Sequence, residues 1–396
     1  VCGYGRCLDK GRPAVLPSDG SRSADRRPDQ GARETRLAAR RRSRRAGARD
    51  GRQRPCSGGC RSRRLAYAFA ARRGAGDCGR VVSTRFELAG RRVWVAGHRG
   101  MVGAALVRRL ESEGCEILSV DRSVLDLRDS EAVEWWMLNA RPEVVFVAAA
   151  RVGGIAANHA MPWDFLHANL AIASSVIGAA QRQGVAKLMF LGSSCIYPRL
   201  AAQPIAEEAL LTGPLEPTNE WYAVAKIAGL KLVQAARRQH GCDFVSVMPT
   251  NLYGPGDNYD LETSHVLPAL LRKAHDAKVR GERNLPIWGS GAPRREFMHV
   301  DDLADACVFL MKTWSEDIWI NVGCGSDVSI RELAEMVMRV VGLEGEVLPD
   351  LSRPDGTPRK LMDSSRLAAL GWRPRIGLEE GIARVYAGAP FTARRA

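Results

Sequence analysis

Val93-Trp-Val-Ala96 runs directly into Gly97-His-Arg-Gly100-Met-Val-Gly103, and the reading of this stretch decides the fold. The first four residues are apolar and mostly β-branched or aromatic, as a buried strand requires. The glycines that follow let the backbone turn tightly into a helix and come close to a pyrophosphate, whose charge then faces the helix N–H groups and positive dipole end. A glycine pattern alone is weak. Set between a strand and a helix, it predicts a dinucleotide site made by Gly97, His98, Arg99, Gly100, Met101, Val102 and Gly103.

Working outward, further short apolar runs read as strands at Glu116–Val120, Val144–Ala149, Leu188–Leu191 and Phe244–Met248, with amphipathic segments of helical length between them. That alternation is the signature of βαβ units. It predicts an α/β fold with a Rossmann-type, doubly wound parallel sheet over residues 86–250. Beyond 250 the pattern loosens into Pro/Gly loops with helices near 264–278 and 329–341, which fits a smaller, mainly substrate-binding C-terminal lobe over 251–396.

Residues 1–85 have another texture. The whole chain of 396 residues carries a formal net charge of +14, but 1–85 hold net +16 and the rest net −2. The Arg-rich head has no sustained period and the run Arg36 to Arg45 repels itself, so it is expected to be disordered, or to be translated sequence upstream of the true start. It has few aromatics to stack bases, and no nucleic-acid partner is expected. Cysteines scatter singly through the body, as in a reduced, cytoplasmic chain, and Cys56-Ser-Gly-Gly-Cys60 is weak evidence for a metal, so none is expected. No apolar run reaches membrane-spanning length.

Asp121-Arg122 stands 24 residues past Gly97, where an acid would bind the ribose 2′-OH of NAD and an arginine the 2′-phosphate of NADP. The two signals conflict. Arg99 in the glycine loop adds a second cation and favours NADP. Downstream, Tyr222-Ala-Val-Ala-Lys226 puts a phenol and an ammonium on one helix face, where the cation is expected to favour the phenolate. They follow Gly192-Ser193-Ser194-Cys195 at the end of the fourth strand, which a turn alone would also explain.

The Gly-x-x-Gly-x-x-Gly spacing and this Ser, Tyr, Lys order resemble the short-chain dehydrogenase/reductase superfamily. The blocks Gly97–Gly103, Ala148-Ala-Ala-Arg-Val-Gly-Gly-Ile155, Leu191-Gly-Ser-Ser-Cys-Ile-Tyr-Pro198, Met248-Pro-Thr-Asn-Leu-Tyr-Gly-Pro255 and Arg295-Glu-Phe-Met-His-Val-Asp-Asp302 resemble the GDP-L-fucose synthase family over about 90–380. The resemblance implies NADPH-dependent reduction at C4 of GDP-4-keto-6-deoxy-D-mannose after inversion at C3 and C5. Ser193 would hold the carbonyl oxygen, Tyr222 protonate it, and Lys226 position the phenol and the nicotinamide ribose. Cys195 would be the base and His265 the acid of the epimerisation. The same resemblance assigns cofactor contacts to Arg122, Leu191, Gly192, Ser193, Ser194, Lys226, Pro249, Thr250, Asn251, Leu252 and His265. It assigns the GDP-sugar to Lys273, Trp288, Arg295 and Asp355, and implies a homodimer.

Two rivals share parts of this pattern. The first is a nucleotide-sugar 4,6-dehydratase or 4-epimerase on the same fold, of which a dehydratase needs an acid pair, typically Asp-Glu, after the serine or threonine, where this chain has Ser194-Cys195. A non-catalytic nucleotide-binding regulator would have no use for the full Ser193, Tyr222, Lys226, Cys195 and His265 set.

Overall fold

The computed structural model describes residues 85–353 and 355–392. The head read over 1–85, Arg85 apart, and its Cys56/Cys60 pair lie outside the described residues.

From its N-terminal side the chain forms β1 (Arg92–Ala96), α1 (Met101–Leu110), β2 (Glu116–Leu118), α2 (Ser130–Ala140), β3 (Val144–Val147), α3 (Ile155–Ala160), α4 (Pro162–Arg182), β4 (Lys187–Leu191), α5 (Glu220–His240) and β5 (Phe244–Pro249). It continues through β6 (Asn251–Tyr253), α6 (Val266–Val279), β7 (Asn284–Trp288), β8 (Arg294–Arg295), β9 (Phe297–His299), α7 (Val300–Thr313) and β10 (Ile320–Val322). The last elements are β11 (Val328–Ser329), α8 (Ile330–Val341), β12 (Glu346–Asp350), β13 (Arg359–Lys360), α9 (Ser365–Ala369) and α10 (Leu378–Ala387).

Six strands form one sheet in the order β10-β5-β4-β3-β1-β2, every neighbouring pair parallel. Alternation along β1 explains the layers. Val93 and Val95 face a core with Leu106 and Leu110 of α1 and Leu303, Cys307 and Leu310 of α7. Trp94 and Ala96 face a second core with Val133 and Met137 of α2, Val176 and Ile177 of α4, and Val233 of α5. Burial on both faces is why β1 and β3 to β5 read as continuous apolar runs. The order reverses between β1 and β3, and a crevice at that switch point is where doubly wound sheets bind ligands.

The boundary drawn at 250 is crossed by the fold. Residues 300–322 return to the sheet, α7 packing against α1 and β10 pairing with β5. Much of 254–299 and 323–392 builds a third core, in which α6 and α8 meet around Leu271, Leu285, Ile287, Val337 and Ile382, while Leu367 and Trp372 pack into the first. α8 starts cleanly because Ser329 and Glu332 form a reciprocal capping box. The parallel pair β6 and β9, Asn251↔Phe297 to Tyr253↔His299, joins the two halves.

Candidate active site

The glycine loop is held by steric necessity. Gly97 has φ +94°, and a Cβ on it would lie 2.7 Å from the Ala149 backbone. A Cβ on Gly103 would lie 2.1 Å from the Gly97 carbonyl oxygen. Gly100 begins α1 with no side-chain cap, and no acid occupies the first turn, so the helix N-terminus faces an anion without competition. These residues fit a dinucleotide pyrophosphate. Asp121 is paired, Oδ2 accepting from Arg99 Nη2 at 2.7 Å and Oδ1 lying 3.3 Å from His98 Nε2, whereas Arg122 stands exposed.

At the end of β4 the chain enters a single helical turn, where Ser193 Oγ accepts from the Cys195 backbone N–H at 3.2 Å. Ser194 is buried, while Ser193 and Cys195 remain partly open. Gly192 leaves no room for a side chain against Met248. Lys226, on α5 one turn after Tyr222, is buried and donates to the Leu191 carbonyl at 2.8 Å. Its Nζ lies 5.7 Å from the Tyr222 ring centre and 4.9 Å from that of Phe190. Burial pushes Lys226 down to about 8. Burial pushes the Tyr222 phenol well up, with Cys195 adding to the rise and the Ser193 hydroxyl opposing it. The expected lowering of the phenol by its cation is thus not what the structure shows: both groups are stripped of water, and that outweighs their mutual effect.

Two donors meet at the Cys195 thiol. Asn219 Nδ2 is 3.2 Å from Sγ and Lys360 Nζ 4.0 Å, while Arg295, paired in register with Lys360, donates to the Arg294 carbonyl at 2.8 Å and is lowered by its burial. His265 is the N-cap of α6, reached from the loop in which the Ser264 carbonyl presses on Gly154. It opens to the surface, yet the atoms packed around the ring hold its imidazole below the ordinary range.

Thr250 and Asn251 spend their side chains on one acceptor. Thr250 Oγ1 and Asn251 Nδ2 donate to the Glu296 carbonyl at 3.2 and 2.8 Å. In the outer lobe, the half-exposed Trp288 indole has Lys273 Nζ 5.6 Å and the Arg353 guanidinium 5.0 Å from its ring. Asp355 is engaged internally, accepting from Ser290 N at 2.9 Å and Ser290 Oγ at 2.7 Å, so it shapes the turn after Trp288. Among the described residues no group of three or more His, Cys, Asp or Glu could hold a metal.

Sequence reading missed Asn219, Lys360 and Glu296. Glu296 is fully buried, has no cation against its carboxylate among the described residues, and accepts from the Gly325 and Met362 backbone N–H groups at 2.8 and 3.1 Å. It flanks Arg295 inside a quoted block, and its charge was the only available signal; nothing local marked the other two.

The model of the NAD dependent epimerase/dehydratase family matches residues 93–323. A GDP-L-fucose synthase from Sinorhizobium fredii is 58% identical over 301 residues, covering 76% of this chain and 96% of that protein. The chain belongs to the GDP-L-fucose synthase family. The Escherichia coli GDP-L-fucose synthase is 52% identical, covering 74% of this chain and 95% of its own length. Among solved structures, a GDP-L-fucose synthetase from Naegleria fowleri bound to NADP is 26% identical with a TM-score of 0.71, covering 77% of this chain and 96% of that one. In that family setting the serine, cysteine, tyrosine and lysine of this chain meet at one strand end, beside a loop built for a dinucleotide.

Proposed function

We propose that this chain makes GDP-L-fucose from GDP-4-keto-6-deoxy-D-mannose, inverting C3 and C5 and then reducing C4 with NADPH. The observation that carries the reading is the Cys195 thiol, met by Asn219 and Lys360 immediately beside Ser193 and Tyr222. A proton α to a ketone leaves only if a base takes it while the oxygen's growing charge is stabilised. Cys195, with the Asn219 amide and the Lys360 ammonium at its sulfur, takes the proton from C3 and, after releasing it to solvent, the proton from C5. Ser193 and Tyr222 donate to the enolate oxygen, and His265 returns a proton to the opposite face. The raised Tyr222 phenol keeps its proton until C4 oxygen needs it, and Lys226 orients the phenol and would hold the nicotinamide ribose. NADPH, when bound, supplies the hydride to C4. Gly97 to Gly103 and the N-terminus of α1 would hold its pyrophosphate, and Leu191 to Ser194, Pro249 to Leu252 and His265 would line its nicotinamide end.

Lys273, Trp288, Arg295 and Arg353 hold the GDP portion, through cations for the diphosphate and an indole for stacking. Residues 86–250 with 300–322 thus serve mainly the cofactor, and the remainder mainly the substrate. No helix among the described residues is long and apolar enough to cross a membrane. We place the enzyme in the cytoplasm as a homodimer, with the exposed Trp221, Val224 and Leu232 of α5 at the interface. The test is incubation with the keto sugar and NADPH in D2O. Deuterium at C3 and C5 with stoichiometric NADPH oxidation is expected, and a lack of both would overturn the reading.

A further inference from the structure

His265 stands where the loop over 254–265 turns into α6, so the angle between that loop and that helix decides where its ring is carried. The outer part of the loop is one braced knot. Asp260 Oδ1 accepts from the Thr263 backbone N–H at 3.0 Å and from Thr263 Oγ1 at 2.7 Å, and Asn258 Nδ2 donates to Thr263 Oγ1 at 2.9 Å. The Ser264 N–H donates to the Asp260 carbonyl at 2.9 Å. A segment held this way moves as a unit, and its outer contacts set the position of His265.

One outer contact is to the loop after β3, where the Gly154 N–H donates to the Thr263 carbonyl at 2.9 Å. The other is aromatic. Tyr259 of the knot meets Phe391 edge to face, with ring centres 4.9 Å apart and planes at 84°. Phe391 lies just past α10 in a turn closed by Thr392, whose N–H and hydroxyl both donate to the Ala389 carbonyl. The same ring meets α6, with the His275 ring centre 5.0 Å away and the Arg272 guanidinium 5.3 Å. His275 is fixed in turn, its Nδ1 lying 3.0 Å from the Tyr386 hydroxyl of α10. Phe391 thus touches both the loop and the helix that meet at His265, and an edge-to-face pair holds an angle as well as burying area. Tyr259, Phe391, Arg272 and His275 are not among the residues assigned above to cofactor or sugar.

We propose that Phe391 is a positioning residue for the proton return: wedged between Tyr259 and α6, it sets His265 against the face of the sugar opposite Cys195. The inference rests on the function proposed above. In that reaction Cys195 removes the C3 proton, the bonding pair passes to the C4 oxygen, and His265 gives its own proton to the opposite face of C3 as the pair returns. Solvent then restores the His265 proton and takes the one on Cys195. Because a displacement of about 1 Å can slow such a transfer by orders of magnitude, loosening the wedge should slow the return and leave the removal alone. Cys195, once its proton has exchanged with solvent, then hands one back to the face it came from. Exchange continues while inversion falls behind.

The test uses the full chain with the keto sugar and NADP+, which carries no hydride, in D2O, and compares the initial rate of deuterium entry at C3 with the initial rate of C3 inversion. In the parent the two should run in step. Phe391→Ala should lower inversion about tenfold relative to exchange, and Tyr259→Ala, which removes the other surface of the wedge, should do the same. Phe391→Tyr keeps the ring and should stay within about twofold of the parent. A residue that merely aided folding would lower both rates together. Apart from turnover, the Gly154 amide, whose bond ties the knot to the loop after β3, should exchange with solvent about tenfold faster in Phe391→Ala. Inversion still in step with exchange in Phe391→Ala, or an unchanged Gly154 amide, overturns the proposal. A parent with C3 exchange absent overturns the function proposed above, and this proposal with it.

Discussion

Lys226 Nζ and the Leu191 carbonyl oxygen are 2.8 Å apart, and this one bond ties α5 to the end of β4 inside the buried site. Among the described residues the ammonium has no counter-ion, so burial holds its pKa at about 8 against an ordinary 10.5. The folded value lies below the unfolded one, so across that window the unfolded chain binds the extra proton and stability rises with pH. Urea unfolding of the parent and of Lys226→Met at several pH values should show the parent gaining about 3 kcal/mol relative to the variant between pH 8 and 10.5. A flat difference would mean that the ammonium is not held down.

The two half-reactions should separate by mutation. Cys195→Ser should stop deuterium exchange at C3 and C5 while NADPH binds as before. Tyr222→Phe should collapse hydride transfer by about 10²–10⁴-fold, the usual contribution of one acid or base, while some exchange at C3 persists. Deuterium incorporation read against NADPH consumption distinguishes them, and parent-rate exchange by Cys195→Ser would return the thiol to a packing role.

Glu296→Gln puts an NH2 where an accepting oxygen met a backbone N–H, leaving a buried donor unpaired between Gly325 and Met362. It should cost about 1–3 kcal/mol of stability. Because β8 and β13 carry Arg295 and Lys360 on either side of this clasp, KM for the sugar should rise several-fold. NADPH affinity should stay within twofold, since the Glu296 main-chain carbonyl that holds Thr250 and Asn251 is untouched by the substitution. An unchanged KM in a destabilised variant would confine Glu296 to folding.

A chain beginning at Arg85 should fold and turn over at the parent rate, because the site groups described all lie beyond that residue. The checks are a melting curve and the NADPH assay, and loss of either would give the head a role.

What the sequence made legible is local. Gly97 to Gly103 could be read because a strand, a turn and a helix meet within one stretch, and β1, β3, β4 and β5 because burial on both faces leaves an apolar run. β10 was invisible: it has only three residues and joins the sheet across a long excursion. The surroundings of Cys195 were hidden for a related reason, since Lys360 reaches it from 165 residues away. The direction of the Tyr222 shift was misread because a sequence shows a cation four residues off but not how much water each group has lost. Asp355 reads from its family block as a ligand contact, and the sequence does not show that its oxygens also meet Ser290, a pairing that only the turn's geometry reveals.

Asn219 occupies the N-cap position of α5, yet its side chain gives the helix no capping bond. The amide points instead to Cys195, and its own Oδ1 stays buried without a partner. A conventional cap at such a position stabilises a protein by about 1 kcal/mol, so this helix begins weaker than its sequence allows. Any selection for heat resistance alone will therefore find improvement here, by turning the residue back toward its helix, and will lose turnover as it does so. Melting temperature is the wrong trait by which to evolve this enzyme.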